Sequence, residues 1–280
     1  MKASFLVAVR KELLEKASEL VPNYGFANAS LFHTALGALQ EKNEYKDNKS
    51  IADVDFAQLF PRGFPIALVE HIVENTNKAA HVRLEESFNK NTILDYVAKN
   101  SGSYQVGQYK LPGVKNVVEE AISTKIEALQ PYVEYWPEAV ALELKPANVP
   151  FAVKNLSEFV DNICYYAERM ENLGAVIASG NLLLQSRLYY PTIHRDLDKK
   201  GHERHQQETD EERFWRGFSS SIPLSSGPHV GGGLLNYGWY IKRTKVLTVF
   251  SLAMFSFVGE GKGYSGDTRA MIRCIIDTLL

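Results

Sequence analysis

Apolar residues recur three or four residues apart along most of the chain, a spacing typical of amphipathic helices. The pattern is strongest between residues 131 and 166, where it predicts two helices joined at a turn that contains Pro146 and Pro150. Proline in a helix interior removes a backbone donor, so no helix should continue undisturbed across this turn. The residues that form the two apolar stripes are Val133, Trp136, Val140 and Leu144 in the first helix, and Leu156, Phe159, Val160 and Ile163 in the second.

The same periodicity predicts helices before this stretch. The first helix should end near Pro22, and Asn28 should cap a second helix over residues 29–40. Pro65 can open a third, longer helix, and another helix should follow Pro112. The first two-thirds of the chain contains no alternating, β-branched run of strand length. The sequence therefore predicts an all-α fold.

The character of the chain changes after residue 173. Residues 173–233 begin as an apolar run, become almost purely polar and end rich in Ser, Pro and Gly, which indicates a partly disordered insertion. Beyond it, residues 246–258 form a run of 13 positions without a charge. Because about 20 apolar residues are needed to span a bilayer, this run is predicted to be a buried helix. A final apolar helix is predicted at residues 267–280.

The charge distribution argues against nucleic acid as a partner. The 280-residue chain carries 31 basic and 33 acidic side chains, a formal net charge of -2 at pH 7. Nucleic-acid binders normally carry a basic face. The first two predicted helices resemble a helix-turn-helix, but residues 41–58 hold more acidic than basic side chains and would repel phosphate groups.

No set of residues typical of catalysis stands out. A di-iron bundle needs two Glu and two Glu-x-x-His pairs, and the acidic residues around His205 do not have that spacing. His194, His202 and His205 lie in the polar segment and are interpreted as part of a solvated charge run. The glycines of residues 100–113 lack the preceding strand of a phosphate-binding loop. We therefore expect no catalytic residues, no metal and no cofactor.

Several short motifs follow one another in a characteristic order. They are Tyr132, Trp136 and Pro137; the turn with Pro146 and Pro150; Asp161, Tyr165 and Tyr166; and the Trp-Tyr-x-Lys-Arg motif of Trp239, Tyr240, Lys242 and Arg243. In this order the motifs resemble the COQ9 family, the mitochondrial lipid-binding accessory proteins of ubiquinone (coenzyme Q) biosynthesis. The segment QYKLPGVKNVVEEAISTKIEAL is similar to fungal members in particular.

The resemblance implies a helical fold like that of the TetR family of transcriptional regulators. Residues 1–60 would form a helix-turn-helix remnant. Residues 61–172 and 234–280 would form the COQ9-like ligand-binding domain, with residues 173–233 inserted between its two parts. The resemblance also implies a homodimer at the surface of the inner mitochondrial membrane, on the matrix side.

The implied function is not catalytic. The protein would bind an isoprenoid lipid or quinone intermediate in a helix-lined lipid cavity and present it to the di-iron hydroxylase of the ubiquinone pathway. Trp239, Tyr240 and Arg243 are expected, by analogy with the family, to lie on the surface that contacts this hydroxylase. The residues that we expect to line the cavity are Trp136, Val140, Phe159, Ile163, Phe250, Met254 and Phe257.

Two other functions remain compatible with the sequence. A TetR-like transcriptional regulator that binds a small apolar ligand would share the architecture, and it would show salt-sensitive DNA binding through residues around 28–58. An enzyme, such as a hydrolase or a metal-dependent hydroxylase, is the third hypothesis, and it would require an activity that depends on added iron.

Overall fold

The computed structural model describes residues 3–41, 56–99, 112–178, 237–261 and 266–280. Within these ranges the regular elements are helices and none is a strand, which confirms the all-α prediction. None of these described helices has the length and apolar character needed to cross a bilayer. The helices are α1 (Ala3–Tyr24), α2 (Ala29–Gln40), α3 (Phe56–Leu59), α4 (Phe64–Phe88), α5 (Lys90–Lys99), α6 (Val114–Leu129), a 3₁₀ helix (Gln130–Tyr135), α7 (Trp136–Glu143), α8 (Val149–Ala178), α9 (Tyr237–Glu260) and α10 (Gly266–Leu279).

Helix α6 lies at the centre of the packing, where it contacts α4, α8, α9 and α10. Val118, Ile122 and Ile126 are fully buried and repeat at the predicted spacing. Burying an apolar side chain of this size contributes about 1.5–3 kcal/mol. The apolar stripe of α6 is therefore a main source of stability for the core.

The helix ends predicted from caps and prolines are largely confirmed. Helix α2 spans the predicted residues 29–40, and the Asn28 side chain accepts a hydrogen bond from the backbone N–H of Ser30 at 2.9 Å. Pro65 lies in the first turn of α4. Residues 42–55 lie outside the described residues, so the phosphate-repelling surface expected at residues 41–58 stays a prediction.

The turn after α1 differs slightly from the prediction, because Pro22 is accommodated in the last turn of the helix. Gly25 follows with a φ of 76°, in the left-handed region that favours glycine. A Cβ atom on Gly25 would lie 2.8 Å from Cδ1 of Tyr135. The Glu138 carboxylate accepts hydrogen bonds from the next two backbone N–H groups, at 3.0 and 3.2 Å. The turn is thus fixed against the 3₁₀ helix and α7.

The helix predicted before the proline turn is divided in two. A 3₁₀ helix with Pro131 in its first turn precedes α7, whose second residue is Pro137. The buried face of α7 runs through Trp136 and Ala139, with Leu142 partly buried beside them. Trp136 is buried, whereas Val140 and Leu144 are 38% and 68% exposed. The continuous stripe predicted for this stretch is therefore wrong beyond Trp136.

The proline turn itself is confirmed. The Asn148 side chain donates a hydrogen bond to the backbone carbonyl of Leu142 at 2.8 Å, and Pro150 is the second residue of α8. Helix α8 continues to Ala178, so the segment predicted as an insertion at 173–233 begins as helix. The rest of that segment lies outside the described residues.

Replacing Gly25 with alanine should lower the free energy of unfolding by roughly 1–3 kcal/mol, because the backbone there disfavours a side chain and the new Cβ would meet the Tyr135 ring. Gly37→Ala is the matched control, since nothing lies within 4 Å of its added Cβ. Alanine in that helix interior should raise the free energy of unfolding by about 0.5–1 kcal/mol. Urea titrations followed by circular dichroism measure both changes. An unchanged midpoint for Gly25→Ala would contradict the described turn.

Candidate functional site

Most of the residues predicted to line a lipid cavity lie where α8 packs on α9. Phe159 and Ile163 on α8 and Phe250 and Phe257 on α9 are buried, and Met254 is partly buried against the same core. The rings of Phe159 and Phe250 meet edge to face, with their centroids 5.1 Å apart and an angle of 62° between the ring planes. Packing thus gathers these five residues in one apolar core, while their role in ligand binding stays a prediction.

The other two predicted lining residues lie elsewhere. Trp136, at the start of α7, packs edge-on against Phe26 in the turn after α1, with ring centroids 6.4 Å apart. Val140 is exposed on α7. Trp136 therefore stabilises the N-terminal turn, and Val140 lies at the surface of the protein.

A lysine that the sequence analysis did not single out lies against the two phenyl rings. Lys125, on α6, is only 3% exposed. Its Nζ atom is 4.1 Å from the ring centroid of Phe159 and 5.1 Å from that of Phe250. It donates a hydrogen bond to Oδ1 of Asn77 on α4, and Nδ2 of Asn77 donates to the backbone carbonyl of Asn155 on α8 at 3.2 Å. The amine is thus held by α4 and lies next to the apolar contact between α8 and α9.

The sequence does contain a signal for this lysine. Lys125 lies three residues after Ile122 and four before Leu129, and both of these residues are fully buried. That spacing places the lysine within the apolar stripe of α6. A single polar residue inside an apolar stripe is thus the sequence signal of this buried amine.

Burial controls the electrostatics of this lysine. Desolvation of the ammonium form lowers the pKa of Lys125 to about 7, while the charge of the Glu143 carboxylate on α7 opposes the shift. Burial also raises the pKa of Glu143, with Lys125 acting in the opposite direction. Near neutral pH the lysine is therefore present in both its charged and its neutral form.

Two of the predicted partner-binding residues, Tyr240 and Arg243, lie on the outer side of the same pair of helices. Nε of Arg243 is 2.6 Å from Oδ1 of Asp161, and its Nη1 atom is 3.8 Å from Oε1 of Glu168. Nζ of Lys242 is 2.5 Å from Oε2 of Glu171. Asp161 and Arg243 are 82 positions apart in the sequence. Two motif segments that are separated along the chain are therefore adjacent in the fold.

Apolar side chains are exposed on these two helices. Tyr240 is 51% exposed and Phe255 is 77% exposed on α9, and Ile241 and Tyr165 are also exposed. Large exposed apolar side chains often mark interaction surfaces, and Tyr240 and Ile241 lie within three positions of Arg243 on α9, whereas Phe255 lies 12 positions beyond it. The side chain of Trp239 lies outside the described residues, so its place in this surface stays a prediction.

A cleft of about 240 Å³ is lined by residues of α1, α4 and α8. Its walls include Arg10, Glu70, His71 and Lys154, and none of the predicted lipid-lining residues. Burial lowers the pKa of His71. Charged walls of this kind offer little apolar contact to an isoprenoid tail. In the described part of the chain, no cluster of three or more His, Cys, Asp or Glu residues could hold a metal ion.

Comparison with known proteins identifies relatives of the chain. No family profile matches it. It is 28% identical over 160 residues to the Drosophila melanogaster protein named ubiquinone biosynthesis protein COQ9, mitochondrial, a match that covers 57% of the chain and 40% of that protein. The match to the Xenopus laevis protein COQ9-A is 25% identical over 159 residues, 57% of the chain and 42% of that protein. Over more than half of its length the chain is therefore similar to COQ9 proteins.

The resemblance to COQ9 inferred from the ordered motifs is thus confirmed. The match to the human COQ9 protein is shorter, at 32% identity over 63 residues, which is 22% of the chain and 20% of that protein. The chain spans about two-fifths of the length of the fly and frog COQ9 proteins, 40% and 42%. The TetR-like arrangement and the lipid cavity stay predictions.

Lys125→Met should change how the stability of the protein depends on pH. The folded-state pKa of about 7 lies below the unfolded value of about 10.4, so the unfolded chain binds more protons between these two pH values. The wild-type chain should therefore gain stability as the pH rises from 7 to 10, by an amount on the order of a few kcal/mol. The methionine variant lacks the amine, so this contribution should be absent.

Guanidinium titrations at pH 7, 8, 9 and 10 measure the difference between the two proteins. The variant should be the more stable protein at pH 7, and its advantage should shrink as the pH rises. Lys145→Met, at an exposed position, controls for the general loss of one lysine. Parallel pH profiles for the wild type and Lys125→Met would contradict the lowered pKa.

Proposed function

We propose that the chain is a non-catalytic, lipid-binding accessory protein of ubiquinone biosynthesis. The observation that carries this proposal is the similarity, across 57% of the chain, to proteins named as mitochondrial ubiquinone biosynthesis proteins. The same similarity supports a mitochondrial location. The expected place of action is the matrix side of the inner membrane.

The proposed ligand is an isoprenoid lipid or quinone intermediate. Each 100 Å² of isoprenoid tail covered by apolar side chains contributes about 2.5 kcal/mol, so a site must supply extended apolar contact to replace the bilayer. The buried rings and aliphatic side chains between α8 and α9 supply such contact. These side chains pack against one another in the structure, so a tail can lie among them only when α8 and α9 move apart or the rings rotate.

The proposed role is delivery of the lipid to the di-iron hydroxylase of the pathway. The surface around Arg243 supports this part of the proposal, because it combines charged side chains held in place by ion pairs with the exposed rings of Tyr240 and Tyr165. Aromatic and arginine side chains dominate the energetics of many protein interfaces. The proposal includes a homodimer, for which the exposed Phe255 on α9 offers apolar surface.

Native mass spectrometry of the purified protein tests lipid binding. After incubation with a prenylated quinone, the wild-type spectrum should contain a lipid-bound species. Met254→Gln places an amide in the predicted site at nearly unchanged size, and it should reduce the bound fraction several-fold because a buried amide loses its hydrogen bonds to water. Leu144→Gln, at a strongly exposed apolar position outside the site, is the matched control and should bind as the wild type does. Absence of any bound lipid on the wild-type protein would contradict the proposal.

Tyr240→Ala tests the partner surface. If Tyr240 anchors the hydroxylase, its truncation should weaken binding by about tenfold or more, the size expected for a central aromatic residue of an interface. Tyr24→Ala, which removes an exposed tyrosine at the end of α1, is the matched control and should leave the affinity unchanged. Biolayer interferometry with purified hydroxylase measures both, with circular dichroism as a check of folding. Equal dissociation constants for the wild type and Tyr240→Ala would remove Tyr240 from the interface.

A further inference from the structure

The buried amine of Lys125 makes fewer hydrogen bonds than it has N–H donors. An ammonium group carries three N–H donors. Within the described part of the chain, the structure shows one hydrogen bond from this amine, to Oδ1 of Asn77. No described carboxylate forms an ion pair with it, although the charge of Glu143 acts on it from α7. A buried polar group with unused donors calls for an explanation such as a ligand.

The remaining surroundings of the amine are aromatic. The ring centroids of Phe159 and Phe250 lie 4.1 and 5.1 Å from Nζ. Ring faces attract an ammonium group through their negative electrostatic potential, but they do not replace the oxygen acceptors that an amine binds in water. The amine is therefore a donor that lies at the inner end of an apolar contact between α8 and α9.

Hydrogen bonds hold the Lys125 amine on the side that faces α4. Asn77 receives the hydrogen bond from Lys125 and itself donates to the backbone carbonyl of Asn155 at 3.2 Å. This second hydrogen bond orients the Asn77 amide so that its oxygen points at the lysine. The free donors of Lys125 are thus left on the side of the two rings rather than on the side of α4.

We propose that Lys125 binds the oxygen-bearing head of an apolar ligand, donating a hydrogen bond to a carbonyl or phenol oxygen while the tail lies along the α8 and α9 side chains. A prenylated quinone or phenol has this combination of a flat ring, ring oxygens and a long apolar tail. The inference rests on the proposed lipid-binding function and names the residue that recognises the head.

Access to the amine requires movement of the rings or of α9. Phe159 and Phe250 cover the amine in the structure, so the head can reach it only after they rotate or separate. The ion pairs of Arg243 and Lys242 with residues of α8 are on the outer side of this contact. Partly exposed pairs of this kind contribute little to stability, so they do not prevent α9 from moving.

The test compares two ligands on two proteins. A prenylated quinone and an isoprenoid hydrocarbon of the same tail length are titrated against the wild type and Lys125→Met by native mass spectrometry. Loss of one hydrogen bond from a buried amine to the head should weaken quinone binding by about tenfold. Hydrocarbon binding should change less than about twofold, because the volume of the side chain is nearly conserved.

Ser123→Ala is the matched control. Ser123 is a buried polar residue on the same helix, and its hydroxyl has no hydrogen-bond partner among the described residues. This variant should bind both ligands as the wild type does. Equal quinone affinity for Lys125→Met and the wild type would overturn the role of Lys125 while leaving lipid binding intact. If the wild type bound neither ligand, the proposed function would itself fail.

A second measurement uses the unaltered protein and does not depend on the folding of a variant. In protein labelled with ¹⁵N-lysine, the Nζ resonance of Lys125 should shift with both ligands, because the two rings must move, and it should shift further with the quinone, because only the quinone brings an oxygen acceptor to the amine. A purely structural role of the amine predicts the same response to both ligands. An Nζ resonance that is unchanged at saturating quinone would overturn the proposal.

Discussion

Burial of α6 is the constraint on which the rest of the structure depends. This helix contacts α4, α8, α9 and α10, so each side chain on its inner face must be satisfied without water. Val118, Ile122 and Ile126 meet this requirement by apolar packing. Lys125 meets it only in part, through one hydrogen bond to Asn77 and the faces of two aromatic rings. Its lowered pKa is a consequence of the same burial, because a neutral amine is easier to bury than an ammonium.

Lys125 belongs both to the centre of the fold and to the candidate site. Asn77 connects Lys125 on α6 to α4, and its hydrogen bond to Asn155 extends the connection to α8. Phe250, on α9, contributes one of the two rings that lie against the amine. The same two helices, α8 and α9, carry five of the seven predicted lipid-lining residues on the inside and the Arg243 ion pairs on the outside. A ligand that lay between α8 and α9 would contact the Lys125 amine. A protein partner bound to the outer surface would contact the opposite side of these two helices.

Helix ends were predictable because caps and helix breakers act on their immediate neighbours. Asn28 caps α2 where the sequence indicated, and Pro65 lies in the first turn of α4. In the stretch at 131–144 the predicted stripe departs from the structure after Trp136, because α7 buries Ala139 rather than Val140, and apolar spacing alone does not tell which of these two neighbours faces the core. Val140 has the spacing of a buried residue, yet it lies at the surface, and its role in ligand binding stays a prediction. Lys125 was missed because its significance depends on what surrounds it.

The sequence by itself determined that the chain is α-helical, where several of its helices begin, and, through the order of its motifs, its relationship to COQ9. Only the tertiary structure decided which distant residues meet, as Asp161 does with Arg243 and Lys125 with Phe159. The physical reason is the range of the interactions. Helices are specified by hydrogen bonds and caps between residues at most a few positions apart. Desolvation and ion pairing depend on neighbours from separate helices, and those neighbours are set by the packing of the whole core.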